Sequence, residues 1–279
     1  MAAPLSYSAE EVRRYDRDRF GTALFAPAQD REALFSLYAF NTEVSRVREL
    51  VTEPLLGRIR LQWWRDAIAG LYQGRRMAHP VAAPLADAIA GRRLSREWFD
   101  RLLDARELDL EDAAPADRTA LEAYAEGTSA SLTLLALEVL GVRDQAAAQA
   151  AHHVGVAWAL TGLLRAVPFH ASMGRLCLPA DLLAEHGVSA EDLLAGRRPP
   201  GLPAVAEALA GLARRHLAQA RVLRRQVPRA ALPALLVAPL AEAYLNSLRR
   251  SGGDLMDTGW SAPRPRPVRL GWTVFVGRY

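Results

Sequence analysis

VGVAWALTGLLRAVPFHASMGRLCLP, residues 154–179, is the stretch around which the chain is organised. Its first part has the length and apolar content of a buried helix, with Arg165 the one charged residue before Pro168. Proline has no amide hydrogen and crowds the preceding turn, so Pro168 is expected to stop or kink this helix. Gly155, Ala159, Gly162 and Ala166 fall at i, i+4, i+7 and i+11 and form a stripe of small side chains. Such a stripe either admits a second helix at close range or lines a cavity.

Working outward, a helix is expected from an N-cap at Asp30 to about Val51, and it holds Leu37, Tyr38, Ala39 and Phe40 followed by Ser45, Arg46 and Glu49. Upstream, Ser8 with Glu11 has the pattern of a capping box opening a helix to about Phe20. Residues 57–74, with Trp63 and Trp64 adjacent, form a further helix. Neighbouring positions cannot share a face, so one indole belongs to the core and the other contacts a neighbouring helix or a partner. Leu121 to Gly141 reads as one strong helix. Asp104, Glu107, Asp109 and Glu111 make the densest acidic cluster; a solvated helix end accounts for it better than a metal site, since no His or Cys converges there.

Both central segments resemble the signatures of the squalene/phytoene synthase family. In the second signature, roughly Q-x-x-N-x-x-R-D-x-x-x-D with a following G-R and L-P, Ala159 falls on the Gln and Gly162 on the Asn. Ala166 and His170 fall on the two acids, while Arg165, Gly174, Arg175, Leu178 and Pro179 are kept. In the first, L-Y-A-F-C-R-x-x-D-D-x-x-D, Leu37 to Phe40 match, Ser45 and Arg46 replace the paired aspartates, and Glu49 keeps the third acid. LQWWRDAI (61–68), YAEGTSASL (124–132) and LLRAVPFHAS (163–172) are most similar to the branch of this family that assembles respiratory complex I.

The resemblance runs from about Phe20 to Asp254 and implies an all-α isoprenoid-synthase bundle around a central cavity. In the enzymes the acids hold magnesium against a prenyl diphosphate, because hard divalent cations need oxygen ligands. Alanine offers none, and Arg46, Arg48 and Arg165 outnumber Glu49. A site of that sign repels magnesium and attracts a phosphate directly through arginine forks; the plainer alternative pairs Arg46 with Glu49 or Glu43 along its own helix. The resemblance therefore implies a catalytically inactive protein without a metal or other cofactor, serving as a complex I assembly factor or lipid-associated scaffold. Tyr38, Ser45, Arg46, Glu49, Gly162, Arg165, His170 and Arg175 would line the residual pocket. Expected partners are complex I subunits or assembly intermediates, and a lipid or prenyl chain in the cavity. The expected location is the bacterial cytoplasm, at or beside the inner membrane. The rival is an active head-to-head prenyltransferase, which would need magnesium ligands from elsewhere.

Composition bounds these readings. The chain has 279 residues, 51% of them hydrophobic, enough for one large helical domain, here set at 1–262, with a Pro-rich linker and tail at 263–279. Its 35 basic residues are all arginine, and a net charge of +4 is too weak for nucleic-acid binding. No run of apolar residues reaches the roughly 18 needed for a membrane span. Cys177, the single cysteine, excludes a disulfide within the chain and reads as a buried structural thiol. His79 reads as a turn residue, and the adjacent His152 and His153 as structural or exposed. After PRPRP (263–267), Val268, Leu270, Trp272, Val274 and Val276 alternate with strand period, in a tail that either folds back on the body or extends to a partner or membrane.

Overall fold

The computed structural model describes residues 4–262, 270–272, 275–277 and 279. Among them there is no strand. The N-terminal half runs α1 (Tyr7–Tyr15), α2 (Arg17–Ala23), α3 (Ala28–Ser45), α4 (Pro54–Tyr72), α5 (Ala82–Arg92) and α6 (Arg96–Glu107). It continues with α7 (Arg118–Ala125), a π-helical turn (Glu126–Ala130) and α8 (Ser131–Val139). Next come α9 (Gln145–Ser172), α10 (Ala180–Glu185), α11 (Ala190–Leu194) and α12 (Leu202–Val222), and α13 (Leu232–Leu235) and α14 (Val237–Arg250) close the bundle. Short 3₁₀ turns cover Val47–Leu50, Leu108–Leu110 and Arg229–Ala231.

α9 is the axis, packed by α12, α8, α14 and the π turn. Asp144 caps it, accepting from the Ala147 amide at 3.0 Å. By length and composition it is apolar enough to cross a membrane, yet Val154, Val156, Ala157, Leu160, Leu164 and Val167 are all buried in the bundle. Pro168 does not end it; the helix runs on to Ser172. The missing N–H removes the single bond to the Leu164 carbonyl, and the rest of the ladder carries the helix one turn further.

Several local expectations are revised. Ser6, not Ser8, caps the first helix, and Asp16 breaks it by capping α2 with a 3.0 Å bond from the Arg19 amide. α3 starts at Ala28 behind Pro27, and Asp30 is instead buried against Arg92. α3 also ends earlier than expected, at Ser45, and a 3₁₀ turn follows. The helix expected over 121–141 is interrupted by the π turn. The indole pair divides as its spacing requires: Trp64 is buried edge-on against Phe40, with ring centroids 5.0 Å apart, while Trp63 is exposed. His79 accepts from the amides of Val81 and Ala82, and its ring packs against Trp63 at a tilt of 49°.

The strand expected in the tail is replaced by helical backbone at Leu270, Gly271 and Trp272. The tail returns to the body, with Leu270 and Tyr279 buried and the Tyr279 hydroxyl donating to the Ala220 carbonyl at 3.1 Å. Val268, Val274 and the PRPRP segment lie outside the described residues.

Candidate functional site

α9 meets α3, α6 and α7 around three adjoining cavities. The first, of about 200 Å³, is lined by Ser45, Arg48, Glu49, Arg106, His170 and Arg175 among others. The second, about 230 Å³, shares Asp109, Tyr124, Leu163, Arg175 and Cys177 with the first. It extends into an apolar chamber of Leu108, Ala113, Ala114, Pro115, Leu121 and Leu176. The third, about 170 Å³, shares Arg106, Tyr124 and Leu163 with the first and reaches Arg19, Ala159 and Gly162. A polar chamber beside an apolar one suits a molecule with a charged head and a greasy tail.

The small-residue stripe of α9 serves both purposes its spacing allowed. A side chain at Gly155 would lie 2.4 Å from the Ala130 Cα, so its absence lets the π turn press against the helix. Nothing lies within 4 Å of where a Gly162 side chain would begin, and there the stripe lines the cavity.

The charges in the polar chamber are incompletely matched. Arg106 donates to Asp109 at 3.1 Å and to the Tyr124 hydroxyl at 2.7 Å, and that hydroxyl donates to Asp109 at 2.8 Å. Burial raises the pKa of the Tyr124 phenol and keeps it a donor. Arg48 reaches the Val51 carbonyl and Asp112, and Arg175 the Glu111 carbonyl. Yet the Nε of Arg48, Arg106 and Arg175 and the Nδ1 of His170 are buried without a partner among the described residues. An unmet buried donor costs about 1–3 kcal/mol, so the three arginine Nε groups favour an acceptor that enters the chamber. Burial, with Arg175 beside it, lowers the His170 pKa and keeps that ring neutral. Burial pushes the Cys177 thiol up to about 11, which makes it a poor nucleophile.

Ser45, Glu49, His170 and Arg175 thus share one cavity, and Gly162 lines its neighbour. Three other expected pocket residues are committed elsewhere. Arg46 stacks on Tyr15, 3.8 Å from the ring centroid, and donates to Glu49 at 3.1 Å. Arg165 binds Asp18 at 3.2 Å and lies over Tyr244, whose hydroxyl also donates to Asp18. Burial raises the Asp18 pKa despite that arginine. Tyr38 is buried beneath Arg19, its pKa pushed up to about 12 by burial. Arg106 and its partners are functional candidates that pattern reading passed over; the only clue was Tyr124 inside the YAEGTSASL match.

The donor set does not fit magnesium. Serine and arginine stand at the paired positions of α3, alanine and histidine on α9, and Glu49 is tied to Arg46. Among the described residues no group of three His, Cys, Asp or Glu side chains is placed to hold a metal. The acidic cluster also answers to arginines: Asp104 and Glu107 bind Arg65 at 2.5 and 2.8 Å.

A second polar cluster lies on another side of α9. His153 and His216 face each other through Nδ1 atoms at 3.0 Å, and the far nitrogen of His216 meets Glu122 at 3.0 Å. His152 stands 3.5 Å from Glu126. The two adjacent α9 histidines therefore have partners, His153 on α12 and His152 on the π turn.

An all-helical bundle wrapped round a divided polar and apolar cavity, with signature helices α3 and α9 facing it, defines an isoprenoid-synthase-like fold. The squalene/phytoene synthase family model matches residues 12–272, and the chain belongs to that family. A solved dehydrosqualene synthase has the same fold, with a TM-score of 0.84 at 21% identity over 97% of this chain and 94% of that one. The mouse (Mus musculus) protein named NADH dehydrogenase (ubiquinone) complex I, assembly factor 6, is 37% identical, covering 89% of this chain and 75% of its own length. Presqualene diphosphate synthase of Rhodopseudomonas palustris is 31% identical, covering 88% of this chain and 85% of its own.

Proposed function

We propose that this chain is a non-catalytic member of its family that serves the assembly of respiratory complex I and holds an anionic, chain-bearing lipid in its divided cavity. The observation that carries the reading is the state of Arg46: it occupies a metal-ligand position of the family signature and is bound to Tyr15 and Glu49. That leaves a chamber of unmet arginine donors where the family's enzymes gather carboxylates. Arginine forks recognise phosphate oxygens without a bridging metal. The identity with complex I assembly factor 6 supports the assembly role. Complex I subunits or assembly intermediates are the partners under this reading, and the bacterial cytoplasm beside the inner membrane is the location.

A second reading, head-to-head prenyl transfer, is favoured by the presqualene diphosphate synthase relatives. The two part on one incubation. Purified protein with farnesyl or geranylgeranyl diphosphate and magnesium should yield no presqualene diphosphate, squalene or phytoene above a protein-free control; product formation overturns the non-catalytic reading. A deletion strain should lose assembled complex I on native gels. Normal assembly there overturns the assembly role. Native mass spectrometry of the purified protein should show a bound lipid, displaced by excess inorganic phosphate only if the head group alone carries affinity.

A further inference from the structure

One side of α4 faces the core through Leu61, Trp64, Ile68 and Leu71. An amphipathic helix should then be polar on its outer side. Instead Leu55, Leu56 and Ile59 are 64%, 48% and 57% exposed, Trp63 continues their line, and Leu50 on the preceding 3₁₀ turn is exposed as well. Leu55, Ile59 and Trp63 fall at i, i+4 and i+8, one face of the helix.

This apolar corner adjoins the cavities. Gly57 lets Leu110 pack onto α4, since a Cβ there would lie 2.4 Å from the Leu110 Cδ2, and Arg48 crosses to Asp112 at 3.3 Å. Leu108, two residues before Leu110, is exposed and lines the apolar chamber. Phe169 and Met173, also exposed, line the arginine chamber. Exposed hydrophobic side chains therefore rim the openings of both chambers. On either flank of the α4 stripe Arg58 and Arg60 are exposed and have no polar partner among the described residues. Of the nearby acids, Glu49 is tied to Arg46 and Asp112 to Arg48, Asp66 one turn beyond Trp63 accepts from Gln62, and Glu53 is exposed.

We infer that this corner docks on an anionic phospholipid bilayer, with the leucines and Ile59 in the acyl boundary, Arg58 and Arg60 among the phosphates, and the chamber mouths turned toward the lipid. The combination points to the occupant: two arginines without acidic partners beside a stripe of exposed aliphatic side chains complement a negative, amphiphilic surface. The inference deepens the lipid-binding part of the proposed function and rests on it.

The test is co-sedimentation of the full chain with vesicles of phosphatidylcholine alone and of phosphatidylcholine mixed with phosphatidylglycerol. Wild type should pellet with the anionic vesicles, less so at high salt. Leu55→Glu with Ile59→Glu should lower the partition coefficient roughly tenfold or more. Arg58→Glu with Arg60→Glu should remove the preference for phosphatidylglycerol. Phe275→Glu, at another exposed aromatic, should bind as wild type. Unchanged circular dichroism and melting temperature establish that the variants fold. Failure of wild type to pellet with either vesicle, or equal pelleting of the Leu55/Ile59 variant, overturns the inference. If vesicles are ignored while that variant fails to restore complex I to the deletion strain, the face belongs to a protein partner, and docking falls while the assembly role stands. If vesicles bind as described and complex I assembles normally without the protein, docking stands and the assembly role falls.

Discussion

Gly155 and Gly162 share one stripe of α9, about two turns apart, and their surroundings are opposite. At Gly155 the backbone of the π turn fills the space, with the Ala130 Cα and nitrogen at 2.4 and 2.8 Å from an added Cβ and the Ser129 carbonyl at 2.8 Å. At Gly162 the same position is open. Identical residues on one face of one helix thus do different jobs: the first half of α9 is a packing seam, the second a cavity wall. The difference teaches that the packing seam and the cavity wall are separable along one helix face: the contact at Gly155 involves none of the residues that line the cavities around Gly162 except Ser129.

The strongest way to break the comparison is at the seam. Gly155→Val places branched carbons against backbone that has no rotamer with which to yield. Overpacking of this kind costs about 1–3 kcal/mol and more when backbone must move. Gly155→Val is expected at or above the top of that range, read as a drop in chemical-denaturation midpoint or as loss of soluble protein. A Gly155→Val protein as stable as wild type would mean that the π turn does not press on α9.

Next in size is Tyr124, whose residue lines all three cavities. Its hydroxyl sits between Arg106 and Asp109, and hydrogen bonds to charged groups contribute about 1.5–3 kcal/mol. Tyr124→Phe removes it while keeping the ring. Stability should fall by about that amount, and Arg106, released from one acceptor, should bind inorganic phosphate more tightly by calorimetry.

These two sites also mark what pattern reading can and cannot reach. The fold was legible because apolar periodicity and the order of the signature segments both depend on local sequence. The Gly155–Ala159–Gly162–Ala166 spacing even offered both roles of the stripe, though only the opposing backbone decides which glycine has which. The charge reversal around Glu49 was legible as well. The Arg46–Glu49 pair was legible too, as the plainer reading of that spacing, but the other arginine contacts were not: Arg46 also turns to Tyr15 and Arg165 to Asp18 with Tyr244, partners set by tertiary packing, while Arg106 turns inward from a helix whose acids looked solvated. His153 pairs with a histidine on α12 that no spacing rule could connect to it. The tail alternated like a strand but had no neighbouring strand to pair with among the described residues, and its described backbone is helical.

The histidine pair belongs to the packed side of α9 and gives that side a pH signature. Burial, with His216 and His152 close by, holds the His153 pKa down at about 4, against an ordinary value of 6.5. Between those values the unfolded chain takes up a proton that the folded chain refuses, so the stability present above pH 6.5 is lost as pH falls toward 4. The melting temperature should therefore decline on acidification from pH 7 to 5, and less steeply in His153→Gln. His152, also lowered by burial although Glu126 opposes the shift, adds to the decline in the same direction. Equal slopes for the two proteins would remove His153 from the account.

The smallest expected effect is the most discriminating, because its sign is reversed. Gly162→Ala puts a methyl group into open space in the middle of a helix, where alanine is favoured over glycine by about 0.5–1 kcal/mol. The variant should therefore be slightly more stable than wild type, whereas Gly155→Ala should be less stable, although the two substitutions are chemically the same. Gly162→Leu extends the test into function: the longer side chain enters the third cavity, so the lipid signal in native mass spectra should fall while the melting temperature holds. If Gly162→Ala destabilises the protein as much as Gly155→Ala, the second half of α9 is packed like the first, and the cavity it is said to line is not open in solution.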